Sequence, residues 1–400
     1  MKKLPFSLLG VLAIFAFVLI FGVCASAKSG NNEEANVDIM TLPPLKDQFS
    51  KYFMIGNIFH NGSSQRQGGF PSDVPAGSTV VANPRLIHHY NVLTHENELK
   101  PASISTGRNS TTGVISYNWA TADRMVNAAI ASGFKIVGHT LLWHSQIPEW
   151  QRQMGDQPKE VALEAMKQFI TDVAGRYAGK IYSWDVLNEV FPNNGGTWKG
   201  GMRSENPWFR AIGSDFVYEG FLAARKADPN AILYYNDFNL NDITKATAVR
   251  NMVRDINEQY LKEHGGTRLL IEGIGMQSHH NTDVSAGSVR ATINLFRPLG
   301  VKLAVTELDI LSSGWSDYAS GGNPPKAGIL RQATLYGEFF RVFLENADII
   351  ERVTFWGCHD EQSWRARALP LIFEGYPRTT AKSAYFKIIQ ALEKFEQNGQ

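Results

Sequence analysis

The sequence predicts an α/β fold, a single (β/α)8 barrel of the TIM type preceded by an N-terminal targeting segment. Three observations point to the barrel. From about Tyr52 onward, short β-rich apolar runs alternate with longer amphipathic stretches. No Pro/Gly/Ser linker is long enough to divide the chain, and no glycine-rich phosphate turn of the kind that opens a helix in a doubly wound sheet is present. Eight parallel strands alternating with helices close into a barrel at this length more readily than they spread into one very wide sheet.

In order, the strand-like runs are Phe53 to Asn57, Asn91 to His95, Lys135 to Leu142, Tyr182 to Asn188, Ala231 to Asn236, Glu272 to Gln277, Lys302 to Thr306 and Val353 to Trp356. Between and after them, helical periodicity marks Asn118 to Ala131, Lys159 to Tyr177, Phe209 to Lys226, Ile243 to Glu263, Gly287 to Leu299, Lys326 to Asn346 and Thr380 to Phe395. Several runs end in polar or aromatic residues where plain turn residues would suffice: His95-Glu96-Asn97, His139 with Trp143 and His144, Asn188-Glu189, Asn236-Asp237, Gln277-Ser278-His279, Glu307 with Asp309, and Trp356-Gly357. In a barrel these ends share the C-terminal face, where the active sites of such folds lie. Any one of them reads equally well as a helix cap; seven on one rim do not.

Composition narrows the partners. The 400 residues are 44% hydrophobic and 19% charged, as in an ordinary globular protein with a large core. With 39 basic and 38 acidic residues, no net field steers the chain toward nucleic acid or anionic membranes. Nine Trp residues fit either that core or flat platforms for sugar rings.

Lys2 and Lys3, an apolar stretch from Leu8 to Val23, and Ala25-Ser26-Ala27 mark residues 1–27 as a signal peptide, with an uncleaved membrane anchor as the alternative. Cys24 raises a lipoprotein reading, which Phe21-Gly22-Val23 fits poorly. Cleavage after Ala27 would leave Cys358 as the sole thiol and exclude an intrachain disulfide. Residues 28–50 are expected to be a flexible lead-in to a catalytic domain over 51–396. The protein is expected to be secreted, or held at the cell surface if the segment is retained or lipidated, and to be a monomer.

Two of the strand ends carry the chemistry. Tyr182-Ser-Trp-Asp-Val-Leu-Asn-Glu189 and Val305-Thr-Glu307-Leu-Asp309 each place a carboxylate just beyond an apolar strand. Strands four and seven face each other across a barrel mouth. Acetal cleavage needs that arrangement, with one group to protonate the leaving oxygen and another to stabilise or attack the oxocarbenium-like carbon. The pair alone fits either stereochemical outcome, or a structural role in barrel ion pairs. No His spacing of the H-E-x-x-H type is present, so neither a metal nor any other cofactor is expected.

From about Tyr52 to Tyr385 the chain resembles the family 10 glycoside hydrolases, mostly endo-β-1,4-xylanases on a (β/α)8 barrel. The motifs that carry the resemblance are Glu96-Asn97-Glu98-Leu99-Lys100, Gly138-His-Thr-Leu-Leu-Trp-His144 with Gln146, Pro148 and Trp150, and Trp184-Asp-Val-Leu-Asn-Glu189. They continue through Tyr235-Asn-Asp237, Gln277-Ser-His279, Thr306-Glu-Leu-Asp309, Phe355-Trp-Gly357 and Ser363-Trp364-Arg365. The resemblance implies a retaining double displacement on xylan, with Glu189 as acid/base and Glu307 as nucleophile. It implies that Asn188 holds the sugar 2-hydroxyl and that His279 and Asp309 orient Glu307. Glu96, Asn97, Lys100, His139 and Trp143 are implied to grip the glycone sugars, Gln277 to lie near the nucleophile, and Trp356 and Trp364 to wall the pocket. A cellulase or mixed-linkage glucanase would differ only in those walls, and a non-catalytic glycan-binding protein would not need the paired carboxylates. The chain departs from the family pattern at Phe238, where Tyr is common, and at Ser383. Stretches 60–84 and 102–114 are longer than expected and should hang over the substrate face.

Overall fold

The computed structural model describes residues 36–62, 70–193 and 195–399. The targeting segment expected at 1–27, Cys24 with it, lies outside the described residues. The strands are β1 (Met54–Phe59), β2 (Val92–His95), β3 (Lys135–Leu142), β4 (Ser183–Asn188), β5 (Ile232–Asp237), β6 (Gly273–Met276), β7 (Lys302–Ile310) and β8 (Ile350–Phe355). Each pairs in parallel with the next, from Gly56↔Val92 round to Leu303↔Ile350, and β1 pairs with β8 at Met54↔Arg352, so the sheet closes and leaves no edge. Because helices cover the outside and side chains fill the inside, the strands read as near-continuous buried runs; β3 is buried at every residue after Lys135.

The helices are α1 (Pro84–His89), α2 (Ala120–Ala131), α3 (Lys159–Arg176), α4 (Asp215–Ala227), α5 (Ile243–His264), α6 (Ala286–Phe296), α7 (Lys326–Leu344) and α8 (Ser383–Gln397). Their starts follow the capping chemistry of the sequence. Asn83 accepts from the Arg85 N–H ahead of Pro84, and Asp242 accepts from the Thr244 N–H at the head of α5. Inside the barrel, large side chains from one strand occupy space left by glycines on the next. A Cβ at Gly138 would fall 2.1 Å from the Trp184 ring, and one at Gly273 would fall 2.2 Å from Tyr234.

Three expectations change. The lead-in is shorter than 28–50: Ile39, Leu45 and Phe49 are buried, Asp38 bridges to Thr380, and Phe49 stacks with Phe53 at the foot of the barrel. The helix expected over Phe209 to Lys226 is two, Pro207–Ile212 and α4, because Gly213 takes φ 77° between them. Of residues 102–114, only Ala102 and Ser103 line the substrate face. The rest enters a hairpin, Ser105–Arg108 with Ile115–Tyr117, tied to α3 through the Tyr117 hydroxyl, which donates to Asp172 at 2.8 Å.

Candidate active site

All eight strands end around one open cleft of about 1070 Å³. Glu96, Asn97 and Lys100 follow β2, His139 and Trp143 come from β3 and its loop, and Asn188 and Glu189 end β4. Gln277 and His279 follow β6, Glu307 lies in β7, and Trp356 and Trp364 follow β8. Each of these residues lines the cleft, whereas Asp309 is fully buried beneath it.

Glu189 is thrown off its strand by a left-handed backbone, φ 56°, while its N–H still donates to the Asn236 carbonyl at 2.9 Å. Its Oε1 accepts from the Gln277 amide at 3.0 Å, and the same amide donates to Asn188 Oδ1 at 3.1 Å. Asn188 Oδ1 also accepts from Asn236 Nδ2 at 3.0 Å, and Asn236 Nδ2 donates to Glu307 Oε1 at 2.9 Å. Two amides and Asn188 therefore join the two carboxyl groups in one continuous network, and neither can move independently of the other.

Different surroundings shift the two carboxyls in opposite directions. Burial raises the Glu189 pKa above the usual range, the negative charge of Asp237 adds to it, and the Gln277 amide and Trp143 indole only partly oppose this. Glu307 contributes less to that rise than Asp237 does. Burial also pushes Glu307 up, but hydrogen bonding from His279, the attraction of His139 and His279, and the Asn236 amide outweigh it and hold Glu307 below its ordinary value. His279 Nε2 lies 3.1 Å from Glu307 Oε2 and its Nδ1 lies 2.9 Å from Asp309 Oδ2. Desolvation alone would lower His279, yet Asp309 and Glu307 carry its pKa up to about 9. Asp309 is fixed in turn by the Trp364 indole at 2.9 Å and Arg365 at 3.3 Å.

A His whose folded pKa exceeds its unfolded value of about 6.5 stabilises the fold fully below that pH. That contribution should fade as pH climbs through about 9. Urea midpoints should therefore decline over this window, and His279→Gln should flatten the decline.

On the other wall, the Lys100 ammonium donates to Asn97 Oδ1 at 3.1 Å and Gln146 Oε1 at 2.7 Å and sits 5.2 Å over the Trp143 ring. Burial lowers its pKa, with Glu307, Glu96 and Glu189 pulling the other way. His139 is steered by Asp185, whose Oδ2 lies 2.9 Å from Nδ1. Trp356, 6% exposed, closes the floor beside His139, while Trp364, 52% exposed, stands as an outer wall.

Sequence reasoning passed over three contributors. Asn236 appeared only as a strand end, yet it holds the nucleophile candidate; Thr306, its side-chain donor at 2.6 Å, fixes its amide the right way round. A Cβ at Gly275 would fall 2.4 Å from Asn236 Oδ1 and 2.9 Å from Thr306, so that glycine keeps the space Asn236 occupies. Asp237 is the second, fully buried against Lys245 at 2.7 Å and bonded by the Tyr235 hydroxyl. Phe238, where a phenol was expected to be missed, lays its ring 3.6 Å from the Lys245 ammonium. Lys245→Met leaves Asp237 as a lone buried carboxylate, and a loss of about 3–5 kcal/mol in urea unfolding is expected. The third, Asp185, could have been found in the Trp184-Asp-Val motif.

Residues 45–391 match the model of glycosyl hydrolase family 10. The chain belongs to that family. It is 34% identical over 361 residues to endo-1,4-beta-xylanase A of Thermotoga maritima, an alignment covering 87% of this chain and 31% of that protein. It is 31% identical over 361 residues to endo-1,4-beta-xylanase of Geobacillus stearothermophilus, covering 87% and 98%. This family 10 chain thus spans about a third of the Thermotoga protein and almost all of the Geobacillus one. Among solved structures, a bacterial Ig-like domain containing GH10 xylanase from termite gut superposes with a TM-score of 0.85 at 52% identity, over 91% of this chain and 81% of that one. Membership places the chain among the family 10 glycosyl hydrolases, and the barrel is the fold it shares with the termite-gut structure.

Proposed function

We propose that this glycoside hydrolase is a retaining endo-1,4-β-xylanase, with Glu189 as acid/base and Glu307 as nucleophile. The observation that carries the reading is the pair of carboxyls joined by one hydrogen-bond network in one open cleft, in surroundings that shift their pKa values in opposite directions. Neutral Glu189 protonates the departing glycosidic oxygen while the Glu307 carboxylate bonds to the anomeric carbon from the other side, and the C–O bond to the leaving sugar breaks. Esterification removes the Glu307 charge. Glu189, now ionised, takes a proton from water, whose oxygen displaces Glu307 and restores the starting configuration and both protonation states. Asn188, whose Oδ1 accepts from both Asn236 and Gln277, holds a sugar hydroxyl during both steps in this reading.

Substrate choice rests on the walls and on the family relatives named as xylanases. Trp356 and Trp364 present flat faces to sugar rings, and a bulky wall disfavours the extra hydroxymethyl group of glucose by about 1–3 kcal/mol. The open cleft fits attack within a chain. The N-terminal features at residues 1–27 support export. An assay on xylan, cellulose and mixed-linkage glucan, with product sizes and the early anomer ratio, tests the whole reading. Short xylo-oligosaccharides released first as the β-anomer are expected. Comparable turnover of glucans removes the substrate assignment, and the α-anomer removes retention.

A further inference from the structure

Beyond Trp364 the loops after β7 and β8 carry aromatic surface that neither the core nor the two carboxyls explain. Trp315 is 54% exposed, an unusual position for the largest apolar side chain, and its ring lies 5.8 Å from that of Tyr318. Tyr318 in turn borders the cleft. Arg367, from the β8 loop, lies 4.9 Å over the Tyr318 ring and donates through Nη2 to the Tyr318 carbonyl at 2.5 Å. Arg365 covers Trp364 at 4.3 Å, but its charge is met by Asp309. Arg367 has no ion pair with a carboxylate among the described residues.

The two loops are fastened to each other. Ser312 N–H donates to Ala368 O at 3.0 Å and Ser312 Oγ to Leu369 O at 3.0 Å, while the Trp315 N–H is held by Asp283 at 3.2 Å. The surface is thus in place before any ligand arrives, which lowers the ordering cost of binding. It continues outward from the wall that holds Glu307, His279 and Trp364.

We propose that Trp315, Tyr318 and Arg367 form a further sugar-binding platform. It carries the glycan chain past Trp364 and receives a carboxylate-bearing side group on the Arg367 guanidinium. Rings stack on the apolar faces of sugars, and a guanidinium pairs a carboxylate in a two-pronged geometry. This rests on the xylanase reading for the identity of the chain that lies there.

The test measures KM and kcat of the full chain on xylotriose, linear xylan and xylan bearing uronic acid groups. Trp315→Ala should raise KM on linear xylan about threefold to tenfold, with xylotriose unaffected because it does not reach so far. Arg367→Ala should lower kcat/KM on the acidic xylan about threefold to tenfold relative to the neutral one. Unchanged KM on linear xylan, an equal loss on xylotriose, or an unchanged acidic-to-neutral ratio would overturn the platform. If the unmodified chain leaves xylan intact, the activity assignment is what fails. Migration of Trp315→Ala through xylan-containing native gels then decides the platform: less retardation than the unmodified chain supports it, and equal retardation overturns it.

Discussion

Glu307→Ala is expected to lose at least about 10⁴-fold in kcat on xylan, since a displaced nucleophile leaves only binding and proton transfer. Azide should restore part of the activity, because a small anion fits the space of the missing carboxylate. The rescued product should be the glycosyl azide of inverted configuration, because one displacement replaces two. Rescue with retained configuration, or a variant as active as the unmodified enzyme, would refute the role. Asn236→Ala offers a softer check, since it removes the 2.9 Å amide contact and should raise the acid limb of the rate profile by freeing Glu307 to take a proton.

The second large effect concerns Glu189. Without its proton, Glu189→Ala should lose about 10²- to 10⁴-fold on xylan. Aryl glycosides with good leaving groups need no proton and should still form the covalent intermediate, which would then accumulate because nothing activates water. Mass spectrometry of the quenched variant should show the added sugar. The pH dependence has a definite sign: activity rises as Glu307, held low, ionises, and falls as Glu189, held high, loses its proton. Removing Glu189 should therefore abolish the alkaline limb on activated substrates and spare the acid one. Persistence of the alkaline limb would assign it elsewhere.

Much of the barrel and its rim was legible in the sequence because the chemistry sits on or just past the short apolar runs that form the strands. His139 lies within one such run, Glu189 and Glu307 follow two others, and residue order alone places them on one face. Relations that depend on packing across the barrel were not legible. Asn236 lies 71 positions from Glu307, and nothing near it in the chain indicates that its amide points inward at that carboxylate. The charge chiefly opposing ionisation of Glu189, after burial, is Asp237 on the neighbouring strand, a relation that only the packing of the strands reveals. Ile39, Leu45 and Phe49 lie in a short proline-interrupted stretch ahead of the first strand, and only the foot of the barrel shows why they are apolar. Gly213 gave a better local clue, since a glycine inside an amphipathic pattern is a natural break.

Gly275 does not line the cleft and carries no functional group, yet a single methyl there would collide with Asn236 and Thr306. A saturation library scored for catalysis and for folding separately should find position 275 as intolerant as a reacting residue on the first score and milder on the second. The bare α-carbon acts as a spacer that keeps Asn236, and through it the Glu307 carboxylate, where they rest, so selection at the cleft reaches residues that no list of lining side chains would contain.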